Sequence, residues 1–364
     1  MVNNIRCFVS ALFLLSAAVA VHAGEGTTSA DFLNIDPSAR SVGMGSAYAA
    51  PGDDAFAFYH NPAGLAQVTQ IELGLSHVQW VDQMHSEYGV IAVPLDGGFV
   101  VSAGGSYFTS GSMAQMDDAG NVLGSYSYTG TMGGASIARR LGDLALGVTA
   151  KTVNESMAGY SASAYGVDAG GLYFCGPLTL AAALENLGSS DTMDSQSSPM
   201  PRTATGGISW RQKALLLAGE YDRMLVSGTS ARTYVGGEYN ISPDSDDLWS
   251  SLVVRGGWQF GRDTGTGNGM TFGAGFMLGK HYSIDYAMAP MGDLGITHRI
   301  SLKIDFIPTG NGDERKEKRD LNDASSQPAG KDFTNAVEAA ENAYRSGKIT
   351  LEEMHNRLRA AGFD

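Results

Sequence analysis

Histidine, cysteine and serine are the side chains through which this chain could carry out metal or nucleophilic chemistry. The seven histidines lack the HExxH spacing that brings two imidazoles to one metal ion, and they stand at positions 22, 60, 77, 85, 281, 298 and 355. The two cysteines, Cys7 and Cys175, form no CxxC pair of the kind that holds zinc or iron–sulfur clusters. Neither a GxSxG nucleophile elbow nor a phosphate-binding loop occurs. The sequence therefore predicts a protein that is not an enzyme and that uses no metal or cofactor.

Charged side chains that alternate with apolar ones offer a second kind of chemistry, which is ion pairing or ligand contact on one face of a strand. Five such positions are predicted to face a common interior: Glu220, Arg255, Asp285, Arg299 and Lys303. Two adjacent acids near the N-terminus, Asp53 and Asp54, are expected to meet inward cations such as Arg255, Arg299 or Lys303. The sequence does not assign the individual pairs.

Composition restricts the class of protein. Glycine accounts for 48 of the 364 residues, while 43% of the residues are hydrophobic and 17% are charged. So little charge combined with a normal apolar content does not fit intrinsic disorder. The formal net charge of −14 argues against nucleic acid as a partner, because phosphates repel an acidic surface.

The region 71–306 alternates between apolar and polar residues with the period of two that is typical of β-strands. In its last segment, Ile300, Leu302 and Phe306 share one face, while Arg299 and Lys303 share the other. Fourteen segments of this kind are predicted, starting near positions 71, 86, 98, 125, 143, 163, 178, 202, 214, 231, 248, 269, 281 and 297. Helical spacing is not sustained in this region.

Two β architectures fit such alternation. A soluble sandwich would turn the apolar face to a core, whereas a transmembrane barrel would turn it to lipid. The barrel is favoured because the segments have about 9–12 residues, the length that a tilted strand needs to cross a membrane. Their number is even, aromatic residues gather near their ends, and the last segment closes on Phe306. Closure would also remove the free edges that a sandwich keeps.

Glycine pairs occur within six of these segments, at positions 104–105, 133–134, 170–171, 206–207, 236–237 and 256–257. Because glycine weakens a regular strand, we expect these pairs to mark bulges or kinks in the barrel wall. Phosphate-binding loops are the less favoured alternative, because the pairs lie within strands.

Two regions precede the strands. Residues 1–23 are predicted to be a secretory signal peptide, since Arg6 precedes an apolar stretch, Cys7–Val21, and cleavage is expected before Gly24. A single transmembrane anchor is the alternative, but this stretch is short for a bilayer. Residues 24–70 form a glycine- and alanine-rich segment that is expected to be a plug inside the barrel.

The composition changes after Phe306. The last 58 residues carry 20 charged side chains, about 34%, against 17% for the whole chain. Residues 307–330 are predicted to be a charged linker, and residues 331–364 a short α-helical hairpin with a capping box at Thr350 and Glu353. The hairpin is expected in the periplasm, where it either docks to a periplasmic partner or lies against the barrel rim.

The N-terminal segment and the last two strands carry a family resemblance. The motif PSAR at 37–40 precedes Gly43-Met44-Gly45, and GDDA at 52–55 precedes YHNPAGLA at 59–66; residues 285–306 supply a second match. In this combination the chain resembles PorV/PorQ-type outer-membrane proteins, members of the FadL-like β-barrel superfamily. The resemblance covers residues 30–306. It implies an all-β, antiparallel transmembrane barrel of about fourteen strands with an N-terminal plug.

The resemblance also indicates which residues could contact a ligand. The binding candidates of the plug motif are Gly43, Met44, Gly45, Asp53, Asp54, Asn61, Pro62 and Gly64. In FadL-like transporters the asparagine–proline block lines the substrate route, so Asn61 and Pro62 are expected to line it here. The alternative is that these residues only fold the segment.

Two functions remain open at this stage. The PorV/PorQ resemblance implies a non-enzymatic barrel that acts in protein export and attachment at the cell surface, with secreted cargo proteins or secretion machinery as partners. The alternative is a FadL-like channel for the uptake of hydrophobic small molecules. Both imply localisation in the outer membrane, in contact with outer-membrane lipid, and neither calls for a cofactor.

Overall fold

The computed structural model describes residues 28–193, 196–226, 231–241, 249–261, 269–279 and 281–306. The strands within these ranges are β1 (Ile71–Gln79), β2 (His85–Pro94), β3 (Phe99–Thr109), β4 (Met113–Met116), β5 (Val122–Tyr126), β6 (Tyr128–Leu141), β7 (Leu144–Met157), β8 (Tyr160–Cys175), β9 (Leu178–Gly188), β10 (Ser190–Met193), β11 (Gln196–Pro199), β12 (Thr203–Gln212), β13 (Leu215–Met224), β14 (Ala231–Ile241), β15 (Trp249–Phe260), β16 (Met270–Leu278), β17 (Tyr282–Pro290) and β18 (Ile296–Phe306).

Fourteen of these strands form one closed antiparallel barrel, in which neighbours follow chain order and β1 pairs with β18. The remaining four form two small hairpins, β4–β5 and β10–β11. The predicted all-β barrel of fourteen strands is thereby confirmed. Each predicted start falls within three residues of an observed barrel strand, because the period-two pattern that marks a strand stops at its turns.

Alternation sorts the side chains between the two faces of the barrel wall. On β7, Leu146 and Val148 point outward and are 48% and 46% exposed, whereas Ala145 and Thr149 point inward and are buried. The same pattern around the barrel leaves an outward surface of exposed apolar side chains. Such a surface is unfavourable in water and suits a hydrocarbon environment.

The two ends of the barrel differ. Ile71 pairs with Phe306 at one end, where most connections are short, such as 142–143, 176–177 and 213–214. We call it the turn end. The two longest connections, 110–127 and 189–202, contain the small hairpins and lie at the opposite end, the loop end.

The chain before β1 forms short helices. They are the five-residue helix α1 (Ala39–Gly43) and the 3-10 helices Asp31–Asn34, Ala55–Tyr59 and Pro62–Gln67; two further 3-10 helices, Asp96–Gly98 and Gly292–Leu294, connect strands. Side chains cap three of them, because Ser38, Asp54 and Asn61 each accept a hydrogen bond from a backbone N–H of the first turn. In the part of the chain described, no helix is long and apolar enough to cross a bilayer.

Residues 28–70, which we call the interior segment, lie against the inward faces of the strands. Helix α1 contacts β15–β18, and the 3-10 helix Pro62–Gln67 contacts β6–β8. The segment contributes several of the largest fully buried side chains of the protein, among them Tyr48, Phe58 and Leu65. The barrel therefore encloses a packed core.

Inward glycines of the wall lie where the interior segment comes closest. A Cβ atom at Gly236 or Gly257 would overlap the backbone of Met44 and Gly45, and one at Gly170 would overlap the Asn61 side chain. The strands keep continuous register through all six glycine pairs. The prediction of bulges at these pairs is therefore wrong; at Gly170, Gly236 and Gly257 the missing Cβ instead makes room for the interior segment.

The predicted signal peptide (1–23), charged linker (307–330) and helical hairpin (331–364) lie outside the described residues. They stay predictions.

Lysine at the middle of an outward face should be costly. Ile300→Lys should lower the free energy of unfolding in phospholipid vesicles by about 2–4 kcal/mol, because the charge would meet lipid hydrocarbon. Ile296→Lys, on the same face but at the strand end, should cost about 0–1 kcal/mol. Denaturant titration followed by tryptophan fluorescence measures both. Equal costs would contradict a lipid-facing band.

A methyl group on the inward glycines should disturb the packing of the interior segment. Gly257→Ala should lower the free energy of unfolding by about 1–3 kcal/mol, because the Cβ overlaps backbone that has no space to move. The neighbouring Gly256→Ala is the matched control: its Cβ has nothing within 4 Å, so its effect should stay within about 0.5 kcal/mol. Similar losses for both variants in the same titration would show that the segment does not pack on this wall.

Candidate functional site

Arg40, on α1, is the centre of a buried ion-pair network. Its Nη1 lies 2.5 Å from Asp53 Oδ1 and 3.3 Å from Asp54 Oδ2, and its Nε donates to Glu238 Oε2 at 2.9 Å. Asp53 also pairs with Arg211 on β12 at 3.0 Å. Of the cations that these acids meet, Arg211 has inward parity on the wall but was not named from the sequence, whereas Arg40 belongs to the interior segment itself. Burial would raise the pKa of Asp53, but the two arginines hold it below its ordinary value.

Glu238, on β14, joins the interior segment to the wall. Besides Arg40, it accepts a hydrogen bond from Arg255 Nε on β15 at 2.7 Å, and Arg255 Nη1 donates to Asp285 Oδ1 on β17 at 2.6 Å. Glu238, Arg255 and Asp285 are each 8% exposed. Charges buried this deeply are tolerated because each has partners of opposite sign.

The other predicted inward charges also face the interior. Glu220 accepts hydrogen bonds from two successive backbone N–H groups of the interior segment, at 2.8 and 2.6 Å. Arg299 Nε donates to the backbone carbonyl of Asp36 at 2.9 Å, and Lys303 Nζ lies 3.5 Å from Asp305 Oδ2. Glu220 and Arg299 thus bond the segment directly, whereas Arg255 and Asp285 reach it through Glu238.

A cavity of about 130 Å³ lies between the interior segment and the barrel wall. One side, which we call the apolar wall, is formed by β2, β3, β6 and the segment, with Phe32, Phe58, Tyr59, Tyr88 and Met132. The other side, the polar wall, follows β7 to β14, with Lys151, Asp168, Glu185, Asn186, Glu220 and Asp222. The cavity can therefore contact both an apolar and a charged part of one molecule.

Two of the polar-wall carboxylates have partners within the wall. Lys151 Nζ lies 2.8 Å from Asp168 Oδ2, and Thr205 Oγ1 donates to Asp222 Oδ1 at 2.7 Å. The candidates chosen from the sequence did not include Lys151, Asp168 or Asp222, although each has the inward parity of its strand. That parity was the signal that could have found them.

Asp36 and His60 form an ion pair of the interior segment at the cavity, with His60 Nε2 3.3 Å from Asp36 Oδ1. Burial alone would raise the pKa of Asp36, but the charge and contact of His60, together with Arg299, hold it below its ordinary value. Burial would likewise lower the pKa of His60, and Asp36 outweighs this effect and raises it.

None of the eight binding candidates of the plug motif is among the residues that line this cavity. Asn61 Nδ2 donates to the backbone carbonyl of Ala49 at 3.1 Å, its Oδ1 caps the turn that Pro62 begins, and Pro62 lies against Gly147. The three residues Gly43, Met44 and Gly45 pack against wall glycines, and Gly64 packs against Gly52. In the described structure, these positions hold the segment in place next to the cavity instead of lining it.

Comparison with known proteins identifies the class of fold. No protein-family model matches the sequence, and no curated protein sequence matches it. The structure is similar to that of the CymD monoaromatic hydrocarbon channel, with a TM-score of 0.55 and 12% identity over 75% of this chain and 98% of that one. It is also similar to the Pseudomonas putida toluene transporter TodX, with a TM-score of 0.51 and 14% identity over 78% and 98%.

This similarity is one of fold, because the identities are low. The chain has a closed barrel fold similar to those of the CymD and TodX channels. The narrower PorV/PorQ resemblance rests on the sequence motifs.

The Asp36–His60 pair should stabilise the fold only within a limited range of pH. Because the pKa of His60 is raised in the folded protein, the pair stabilises the fold below the unfolded-state pKa of about 6.5. This stabilisation is lost as the pH rises through the folded-state pKa. The lowered pKa of Asp36 stabilises the fold above about 3.9, and this is lost as the pH falls through the folded pKa. The stability difference between the wild type and His60→Gln should therefore be largest between about pH 4 and 6.5.

Urea titrations across this pH range measure the difference. The control is His298→Gln, whose ring bonds the Tyr286 hydroxyl instead of a carboxylate. A difference for His60→Gln that does not change with pH would show that the pair is not ionic.

Proposed function

We propose that this chain is an outer-membrane β-barrel that passes small molecules and that its interior segment is the plug. The observation that carries the proposal is the cavity between the segment and the wall of a closed barrel. Thr203, Met224 and Arg232 line the cavity and lie at the loop ends of β12, β13 and β14. A solute entering at the loop end would therefore reach the cavity before the packed core of the segment.

The proposed substrates are small and mainly apolar. The apolar wall offers aromatic rings and a methionine, and the cavity of about 130 Å³ is close in volume to the roughly 150 Å³ of a protein cavity that binds benzene. The similar structures are those of a monoaromatic hydrocarbon channel and a toluene transporter, which supports the same ligand class here.

The proposed orientation follows from the two ends. Outer-membrane barrels have short periplasmic turns and longer extracellular loops, so the loop end would face outward. The chain leaves the barrel at Phe306 on the turn end, which would put residues 307–364 in the periplasm. There the predicted hairpin would be available to a periplasmic partner.

Protein export is the second candidate. The observation in its favour is the ion-pair network from Arg40 to Asp285, which anchors the segment to three strands. A plug held this firmly would suit a barrel that serves as a fixed platform for secreted cargo or secretion machinery, as the PorV/PorQ motifs imply.

Uptake of labelled toluene distinguishes the two candidates. Cells with a lipopolysaccharide outer membrane should take up toluene faster when they carry the chain, while glucose uptake stays unchanged. Ser106→Phe should abolish the gain, because Ser106 faces the cavity and the ring would fill it. Tyr107→Phe, the next residue on the outward face, is the matched control and should leave the gain intact.

Export predicts another result. Toluene uptake would be the same with and without the chain, and its deletion would remove secreted proteins from the cell surface. That outcome would overturn the channel proposal.

A further inference from the structure

A bulge between β8 and β9 shapes the polar wall. Val167 pairs with Leu187 and Ala169 pairs with Leu184, so the two residues between them on β9 oppose Asp168 alone. Side chains of a regular strand alternate between faces, yet Glu185 and Asn186 both line the cavity. The extra residue of the bulge turns both inward, and Asn186 takes a left-handed conformation (φ 58°) that asparagine tolerates.

Asn186 presents an acceptor that lacks a donor. Its backbone N–H donates to Asp168 Oδ1 at 2.7 Å and its Nδ2 donates to the carbonyl of Pro201 at 2.9 Å, which fixes the orientation of the amide. The side chain is 4% exposed, and its Oδ1 has no hydrogen-bond partner among the described residues. A buried amide oxygen left in this state costs free energy that a ligand N–H group would recover.

Glu185 is the carboxylate of the polar wall that remains available. Asp168 has Lys151, Asp222 has Thr205, and Glu220 has two backbone N–H groups. The described residues supply no hydrogen bond to the Glu185 carboxylate. It therefore stands beside the unsatisfied Asn186 oxygen as a second acceptor, and a bound cation would favour its ionised form.

Acidic side chains outnumber basic ones at the cavity. Five carboxylates line it, against three basic side chains, Lys151, Arg232 and His60. Lys151 and His60 are already paired with two of these acids. No group of three or more His, Cys, Asp or Glu side chains suited to a metal ion occurs among the residues in the described ranges. The polar wall thus favours a cation that donates through N–H groups.

We infer that the cavity binds a small amphipathic organic cation, with its ammonium group on Glu185 and Asn186 and its apolar part on the apolar wall. Aromatic rings suit such a ligand, because their faces attract cations as well as apolar groups. The inference rests on the proposed function and names the substrate class of the same cavity. The inference predicts equilibrium binding of the ligand, so it can be tested without a transport measurement.

Three probes of nearly equal shape and size show whether the charge of the ligand determines its affinity. Benzylamine is a cation at neutral pH, benzyl alcohol is neutral and benzoate is an anion. Isothermal titration of the full chain in detergent micelles should give the highest affinity for benzylamine, a lower one for benzyl alcohol and no binding of benzoate.

Glu185→Gln should weaken benzylamine binding by about tenfold or more and leave benzyl alcohol binding unchanged, because it removes the charge and keeps the shape. Glu87→Gln is the matched control, since Glu87 is exposed on the outward face and the change alters the net charge equally. If Glu185→Gln fails to fold, Asp222→Asn in the same wall should weaken benzylamine binding in the same direction.

Equal affinity for benzylamine and benzyl alcohol, or benzylamine binding that neither variant weakens, would overturn the inference. So would the absence of binding by all three probes. Failure of the channel proposal is separate: benzylamine would bind in micelles, while the chain would not accelerate toluene uptake by cells.

Discussion

Close approach between the interior segment and the barrel wall is the constraint on which the rest of the structure depends. At Gly236 and Gly257 the backbone of Met44 and Gly45 occupies the volume that a Cβ would need, and this contact brings the chain that follows α1 next to β14 and β15. On β7 and β8, Gly147 and Gly170 receive the segment, whereas further along the same faces Lys151 and Asp168 line the cavity. Small inward residues thus decide where the segment packs, and large polar ones decide where space remains.

A network of buried ion pairs further stabilises this packed arrangement. The sign of charge alternates along Asp53, Arg40, Glu238, Arg255 and Asp285, so that each charge of this network has a neighbour of opposite sign. An ionised group without such a neighbour would pay a large desolvation penalty in this interior. The network therefore links the position of α1 to the register of β14, β15 and β17.

The barrel could be predicted because apolar and polar residues alternate along each strand. This alternation identifies the inward and outward faces of a strand from its own sequence alone. For the same reason the five inward charges could be chosen from sequence. The partners of Asp53 and Asp54 could not, since they depend on how the interior segment folds back. The roles of the glycine pairs depend on what lies opposite them. Glu185 and Asn186 escaped notice because a bulge breaks the very parity that identifies inward residues.

The filled interior has an electrical consequence. A porin of comparable strand number that holds water conducts ions through a continuous aqueous column. Here the fully buried side chains of Tyr48, Phe58 and Leu65 occupy part of the volume that such a column would need. In the proposed outer-membrane setting, this packing would lower the conductance of each barrel to small inorganic ions below that of a water-filled porin.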